Sequence, residues 1–226
     1  MGSDQAIRLI GAIAQLLGVL VWPALLLFFL VRFRRPLTDL LSNLGEFNLK
    51  ALGVEASAKR RQAEAAAAIG AAEEAHAATD GIPGSAADPR SIAEALPNSR
   101  AQRRLQGSQV LWVDDRPDNN RFEGQALEAL GIQIDLSTST DDALEKIQRR
   151  SYDLIISDMG RPPDSRAGYT LLDRLRANGN TTPFVIYSGS RAPEHVSEAR
   201  QHGAIGATNS PQELVTMVTR ALTARQ

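Results

Sequence analysis

The chain has 226 residues, enough for one full α/β domain and an appendage. Its formal net charge of -1 gives no basis for a nucleic-acid partner. Cysteine is absent, which excludes disulfides, Cys-ligated zinc and thiol catalysis, and the three histidines (His76, His195, His202) lack metal-ligand spacing.

The first predicted element is an uncharged apolar run at 9–31, LIGAIAQLLGVLVWPALLLFFLV. As a helix it would measure about 34 Å at roughly 1.5 Å per residue, enough to cross the hydrocarbon core. A cleaved signal peptide would carry a shorter apolar region and end in small residues. This run ends in Phe28, Phe29, Leu30 and Val31. The expectation is a retained single transmembrane helix within an anchor at 1–35. Arg32, Arg34 and Arg35 follow the run, and only Arg8 precedes it. The positive-inside rule then puts the N-terminus outside and the rest of the chain in the cytoplasm.

Residues 36–78 read as a mostly helical region. Leu37, Leu40, Leu41 and Leu44 follow helical spacing, predicting a short amphipathic helix at the membrane surface. At 47–59, Phe47, Leu49 and Ala51 alternate, as do Val54, Ala56 and Ala58, around Leu52-Gly53. That pattern fits a small β-hairpin or a break between two helices. From Ala58 to Ala78 the strong helix formers Ala, Glu and Arg dominate without an apolar heptad, predicting a solvated spacer helix. Residues 79–108 collect Gly, Pro, Ser and Asp and read as a flexible linker, with a short helical turn near Ile92–Leu96.

From Gln109 onward, strands and helices alternate. Strands are predicted at Val110–Val113, 132–138, Leu154–Ser157, Phe184–Tyr187 and Ala204–Thr208. Helices run through Phe122, Leu127 and Leu130, through Ala143, Leu144 and Ile147 (capped by Thr140 or Asp141), and through Leu171, Leu172 and Leu175. Two more cover Pro193–His202 and Pro211–Ala224. Five βα units over 109–226 imply a doubly wound parallel sheet with helices on both faces. Asp114, Asp115, Asp158 and Ser188 then fall at strand ends on one edge, where open α/β sheets hold ligands. Three carboxylates there repel unless a cation joins them or one takes up a proton. The pattern points to a divalent-metal pocket with a reactive aspartate.

Four motifs make the resemblance specific: VLWVDDRPDNN (110–120), YDLIISDM (152–159), FVIYSGS (184–190) and GAIGATNSP (203–211). In order and spacing they resemble the bacterial response-regulator receiver (CheY-like) domain, a flavodoxin-like fold with strand order 2-1-3-4-5. The resemblance covers 109–226. It implies Asp158 as phosphoacceptor, Asp114, Asp115 and Asp158 as ligands of Mg²⁺, and Ser188 as a contact of the phosphoryl group. It also implies protein partners, a histidine kinase upstream and an effector downstream, and places the anchor in a bacterial inner membrane.

The chain departs from the family pattern at three points. Ser210 stands where the family carries a lysine before the fifth-strand proline, and a serine supplies no cation. Arg116, Arg161 and Arg191 are the candidate substitutes. In the loop MGRPPDSRAG, Pro162 matches the family position but Gly168 falls two residues late. Ala207 replaces the fifth-strand aromatic that serves as a switch. Two readings follow: a membrane-anchored signalling module regulated by Mg²⁺-dependent phosphorylation of Asp158, and a phosphorylation-independent pseudo-receiver that drives assembly at the membrane, including self-association. A small phosphohydrolase is a third reading. It is weakened by Gly160 at the place of a second aspartate and by the lack of a histidine placed as base, and beyond turnover at Asp158 itself no enzymatic activity is expected.

Overall fold

The computed structural model describes residues 34–80, 88–189 and 193–224, with the single positions 21 and 28; side chains of the first helix are described for 55–78. The expected span at 9–31 therefore lies outside the described residues except for Val21 and Phe28. Among the described residues no helix is long and apolar enough to cross a membrane. The contacts divide the chain into two units, Met1–Val54 and Glu55–Gln226.

The backbone is helical without interruption from Arg34 to Asp80, α1. This corrects the hairpin or break expected at 47–59. An alternating pattern needs a partner strand, whereas a helix propagates cooperatively from the leucine-spaced segment before it and the Ala-rich one after it, and absorbs Gly53 at a cost of about 1 kcal/mol.

In the second unit, α1 is also not a solvated spacer. Ala58, Ala65, Ile69 and Ala72 form one buried stripe at helical spacing, with Ile69 fully enclosed. The flexible linker is likewise replaced, over its described part, by two short helices. In α2 (Pro89–Ala95) the Asp88 carboxylate accepts from the Arg90 amide at 3.0 Å and proline opens the helix. In α3 (Ser99–Leu105) the Asn98 side chain accepts from the Ala101 amide at 2.9 Å. Both pack on the C-terminal helix, and Leu105 is fully buried.

The sheet begins with β1 (Gln109–Val113), followed by a 3-10 turn (Pro117–Asn120) and α4 (Arg121–Ala129). Then come β2 (Gln133–Ser137), α5 (Thr140–Arg149), β3 (Leu154–Ser157) and α6 (Ala167–Ala177). The last elements are β4 (Phe184–Tyr187), α7 (Pro193–Gln201), β5 (Gly206–Thr208) and α8 (Pro211–Ala224). All neighbouring strands pair in parallel, in the expected order β2-β1-β3-β4-β5. The cap of α5 is Ser139, whose hydroxyl accepts from the Asp142 amide at 3.1 Å, rather than Thr140 or Asp141.

Strand alternation divides the core between the two faces. Leu111, Val113, Ile155, Phe184 and Ile186 pack with α5, α6 and α7. Val110, Trp112, Leu154, Ile156, Val185 and Tyr187 pack with α4 and α8, and α1 lies in this same cluster through Ala65 and Ile69. The sheet thus carries an extra helical layer on one side, drawn from outside the alternating βα pattern.

Candidate functional site: an acidic pocket at the strand ends

Because β1 and β3 run parallel with Val113 aligned to Ser157, the residues that follow them emerge on one edge. One oxygen from each of Asp114, Asp115 and Asp158 lies within 4.8 Å of the others. Asp114 is buried, and its two oxygens accept from the Arg116 amide at 2.7 Å and from Asn120 Nδ2 at 2.6 Å. Burial, aided by the charge of Asp115, nevertheless holds its pKa above the ordinary carboxylate value. Asp158 is raised in the same way, first by burial and then by the charges of Asp114 and Asp115, against a hydrogen bond from the Met159 amide. Two carboxylates pushed toward protonation chiefly by burial, with a third beside them, form an all-oxygen donor set. These residues fit a hard divalent cation such as Mg²⁺.

The cluster opens into a cavity of about 550 Å³, also lined by Asn119, Gly160, Pro162, Ser188, Gly189 and Asn209. Ser188 therefore stands beside the carboxylates, as its strand-end position predicts. Gly168 keeps the lengthened loop close. A Cβ there would lie 2.8 Å from the Asp158 carbonyl oxygen and 3.1 Å from Ile186 Cδ1, so only glycine lets α6 start against the backbone of Asp158.

The candidate substitute cations separate. Arg161 is buried and turned into the protein. Its guanidinium donates to Ser157 Oγ (2.7 Å), the carbonyls of Asp158 (2.7 Å) and Ala167 (3.0 Å), and Thr140 Oγ1 (3.1 Å). It pins the loop beneath Asp158, and burial lowers its pKa. Arg116 stays at the rim, Nε 3.8 Å from Asp115 Oδ2 and largely exposed. Arg191 lies outside the described residues. Ser210 faces α1, its hydroxyl donating to Glu73 Oε1 at 3.4 Å.

One histidine, in a helix outside the alternating βα pattern, reaches the site. His76 of α1 lines the same cavity. Its Nε2 is 3.0 Å from Oε1 of Glu123, which is buried in α4, and its ring stacks on Tyr187 with centroids 6.3 Å apart. The Tyr187 hydroxyl donates to the same Glu123 oxygen at 2.7 Å. The hydrogen bond to Glu123 raises the His76 pKa despite partial burial, and one to the Asn209 backbone adds to it. Burial, followed by the Glu123 charge, pushes the Tyr187 phenol far up. Sequence reasoning missed this group because its members belong to elements separated along the chain. The stripe that ends one turn before His76 gave no signal, since its alanines suit a solvated helix as well as a packed one.

A profile described as the response regulator receiver domain matches residues 110–221. The chain is 30% identical over 125 residues to the gliding motility regulatory protein of Myxococcus xanthus, covering 54% of this chain and 15% of that one. It is 30% identical over 105 residues to the sensor histidine kinase RcsC of Salmonella typhimurium, covering 46% and 11%. The chain thus spans less than a fifth of the length of these relatives. Among solved structures it is similar to the chemotaxis response regulator CheY4 of Vibrio cholerae, with 25% identity, a TM-score of 0.46, and 51% of this chain and 99% of that one covered. The receiver domain of the Francisella response regulator 1452 is similar at 26% identity and a TM-score of 0.47, covering 53% and 98%. The matched segment takes in the sheet and the carboxylate cluster together, and residues 110–221 are accordingly a receiver domain of two-component signalling.

Proposed function

We propose that the chain is a membrane-anchored signalling module that accepts a phosphoryl group on Asp158 and passes the signal to a protein effector. The observation that carries this reading is the convergence of Asp114, Asp115 and Asp158 on one cavity beside Ser188. In the reaction, an Asp158 carboxylate oxygen forms a bond to phosphorus. The bond from phosphorus to the donor's leaving group breaks, and that group departs with the electron pair; later hydrolysis returns the aspartate and phosphate. When bound by the three aspartates, Mg²⁺ supplies charge neutralisation for this transfer. Asn120 and the Arg116 amide orient Asp114, Arg161 fixes the Asp158 backbone, and the proposed role of Ser188, which lines the same cavity, is to donate to a phosphoryl oxygen.

Anchoring at the bacterial inner membrane, with the receiver in the cytoplasm, is supported by the apolar run at 9–31 and its trailing arginines. A histidine kinase is the proposed donor, since receiver domains work with such kinases and one relative bears that name. The reading assigns no activity beyond formation and loss of the Asp158 adduct. The full chain, solubilised in detergent and treated with acetyl phosphate and Mg²⁺, should form an acid-stable, base-labile adduct. Absence of the adduct, or its persistence in Asp158→Asn, would remove this reading.

A phosphorylation-independent docking role, with self-association or an effector as partner, is favoured by one observation: Ser210 meets the carboxylate of Glu73 where a cation would be needed. That role predicts undiminished signalling by Asp158→Ala in cells.

A further inference from the structure

We propose that His76 is the cation of the phosphoryl pocket, supplied by α1 rather than by the receiver, so that docking of α1 and anion binding at Asp158 stabilise each other. The inference deepens the phosphorylation reading and rests on it.

The charges around the cavity lead to this residue. Among the described residues that line it, His76 and Arg116 are the two whose side chains can carry positive charge. The Arg116 side chain is 73% exposed, so water and salt screen it. The guanidinium of Arg161 is committed to carbonyls and hydroxyls under the loop, and Ser210 brings no charge. His76 differs from all three. Its Nε2 lies 3.0 Å from Oε1 of buried Glu123, its ring stacks on Tyr187, and a hydrogen bond with the Asn209 backbone also favours the charged form. A ring nitrogen 3.0 Å from an oxygen of a buried carboxylate is arranged to hold its proton, because the negative charge favours the imidazolium form. The direction of its pKa shift agrees.

The groups facing His76 can be named element by element. Glu73 lies one turn earlier on α1, Glu123 is on α4, the Tyr187 phenol comes from β4, and the backbone of Asn209 follows β5. Both Glu73 and His76 reach the segment at 209–210, so one face of α1 occupies the space beside Ser210. An anion seated between Asp158 and Ser188 enters the cavity that His76 lines. Its charge strengthens the hold on the imidazolium, which keeps its proton and forms no covalent bond. By reciprocity, whatever factor the docked helix adds to anion affinity, the anion adds to helix docking.

The test uses the full chain in detergent, Mg²⁺, and beryllium fluoride as a tetrahedral phosphoryl mimic. Wild type should bind the mimic, and binding should slow amide exchange in α1 over 65–76. His76→Gln should weaken binding by about three- to tenfold, the worth of removing one partly shielded positive charge near the anion. His76→Gln combined with Ser210→Lys should recover the affinity by moving the cation to the loop, while α1 exchange no longer responds to the mimic. A purely structural role for His76 would not be rescued in this way, so failure of the double variant to recover overturns the inference. Equal affinity in wild type and His76→Gln, with none in Asp158→Asn, overturns it and leaves the phosphorylation reading standing. Wild type that neither binds the mimic nor forms the acetyl phosphate adduct overturns both.

Discussion

Replacing Ile69 with alanine tests whether α1 is part of the folded unit. Ile69 is fully buried, in a cluster with Leu105, Val110, Leu214, Val215 and Val218. The substitution removes three carbon groups, worth about 2.4 kcal/mol at ~0.8 kcal/mol each. Its stripe neighbours Ala65 and Ala72 are already small, so little can move into the space, and a residual cavity term puts the expected loss at about 2–5 kcal/mol. With a urea slope near 2 kcal/mol/M, the unfolding midpoint should fall by about 1 M or more. Glu64→Gln is the control, because Glu64 is exposed and its ion pair is with exposed Arg60; its effect should stay within about 0.5 kcal/mol. Circular dichroism during urea unfolding of both variants gives the comparison. If Ile69→Ala shifts the midpoint no more than Glu64→Gln does, α1 is a spacer and the packing argument collapses.

Three further outcomes are expected. In the absence of divalent cations at neutral pH, Asp158→Asn should be more stable than wild type. The raised pKa means that the Asp158 contribution to stability is greatest at acid pH and declines as pH rises through its folded value, so the advantage of Asn should vanish below the ordinary carboxylate range. Thermal unfolding at several pH values, with and without Mg²⁺, reads this directly, and Mg²⁺ should stabilise wild type more than the variant. Gly168→Ala should cost about 1–3 kcal/mol, because the new Cβ meets the Asp158 carbonyl at 2.8 Å, and Mg²⁺ titration should show weakened binding; an unchanged melting temperature would contradict that packing. Arg161→Lys should lose about 1–3 kcal/mol, since an ammonium cannot satisfy acceptors contributed by Ser157, Asp158, Ala167 and Thr140 at once; urea unfolding equal to wild type would show that the fork geometry is dispensable.

The sheet was legible in the sequence because its signals are local. Runs such as Leu154–Ser157 and Phe184–Tyr187 are buried at every position, and their apolar composition alone announces them. The carboxylate cluster was legible for a related reason, since strand ends in a parallel sheet share an edge and the position of each acid in its run places it there. Alanine hid the docking of α1. Three of the four stripe residues are alanines, which suit a solvated helix as well as a packed one, so periodicity of hydrophobic residues could not reveal the buried face. The role of Arg161 was hidden differently: charge suggested the pocket, whereas its acceptors are carbonyls that a sequence does not display. At 47–59 the alternation of apolar residues lost to helix propagation from both sides.

The contact between Glu73 and Ser210 joins residues 137 positions apart. During translation, α1 leaves the ribosome before any of the surface that receives it, and α8 follows the other described elements of that surface. At about 5–20 residues per second, α1 waits roughly 7–27 s for that surface to be made. A stripe built on alanine suits the delay, because it presents little sticky surface to other chains while still undocked. Docking of α1 thus becomes a late step in the folding of this unit, and a chain truncated before α8 would carry an acidic edge without the helix settled against it.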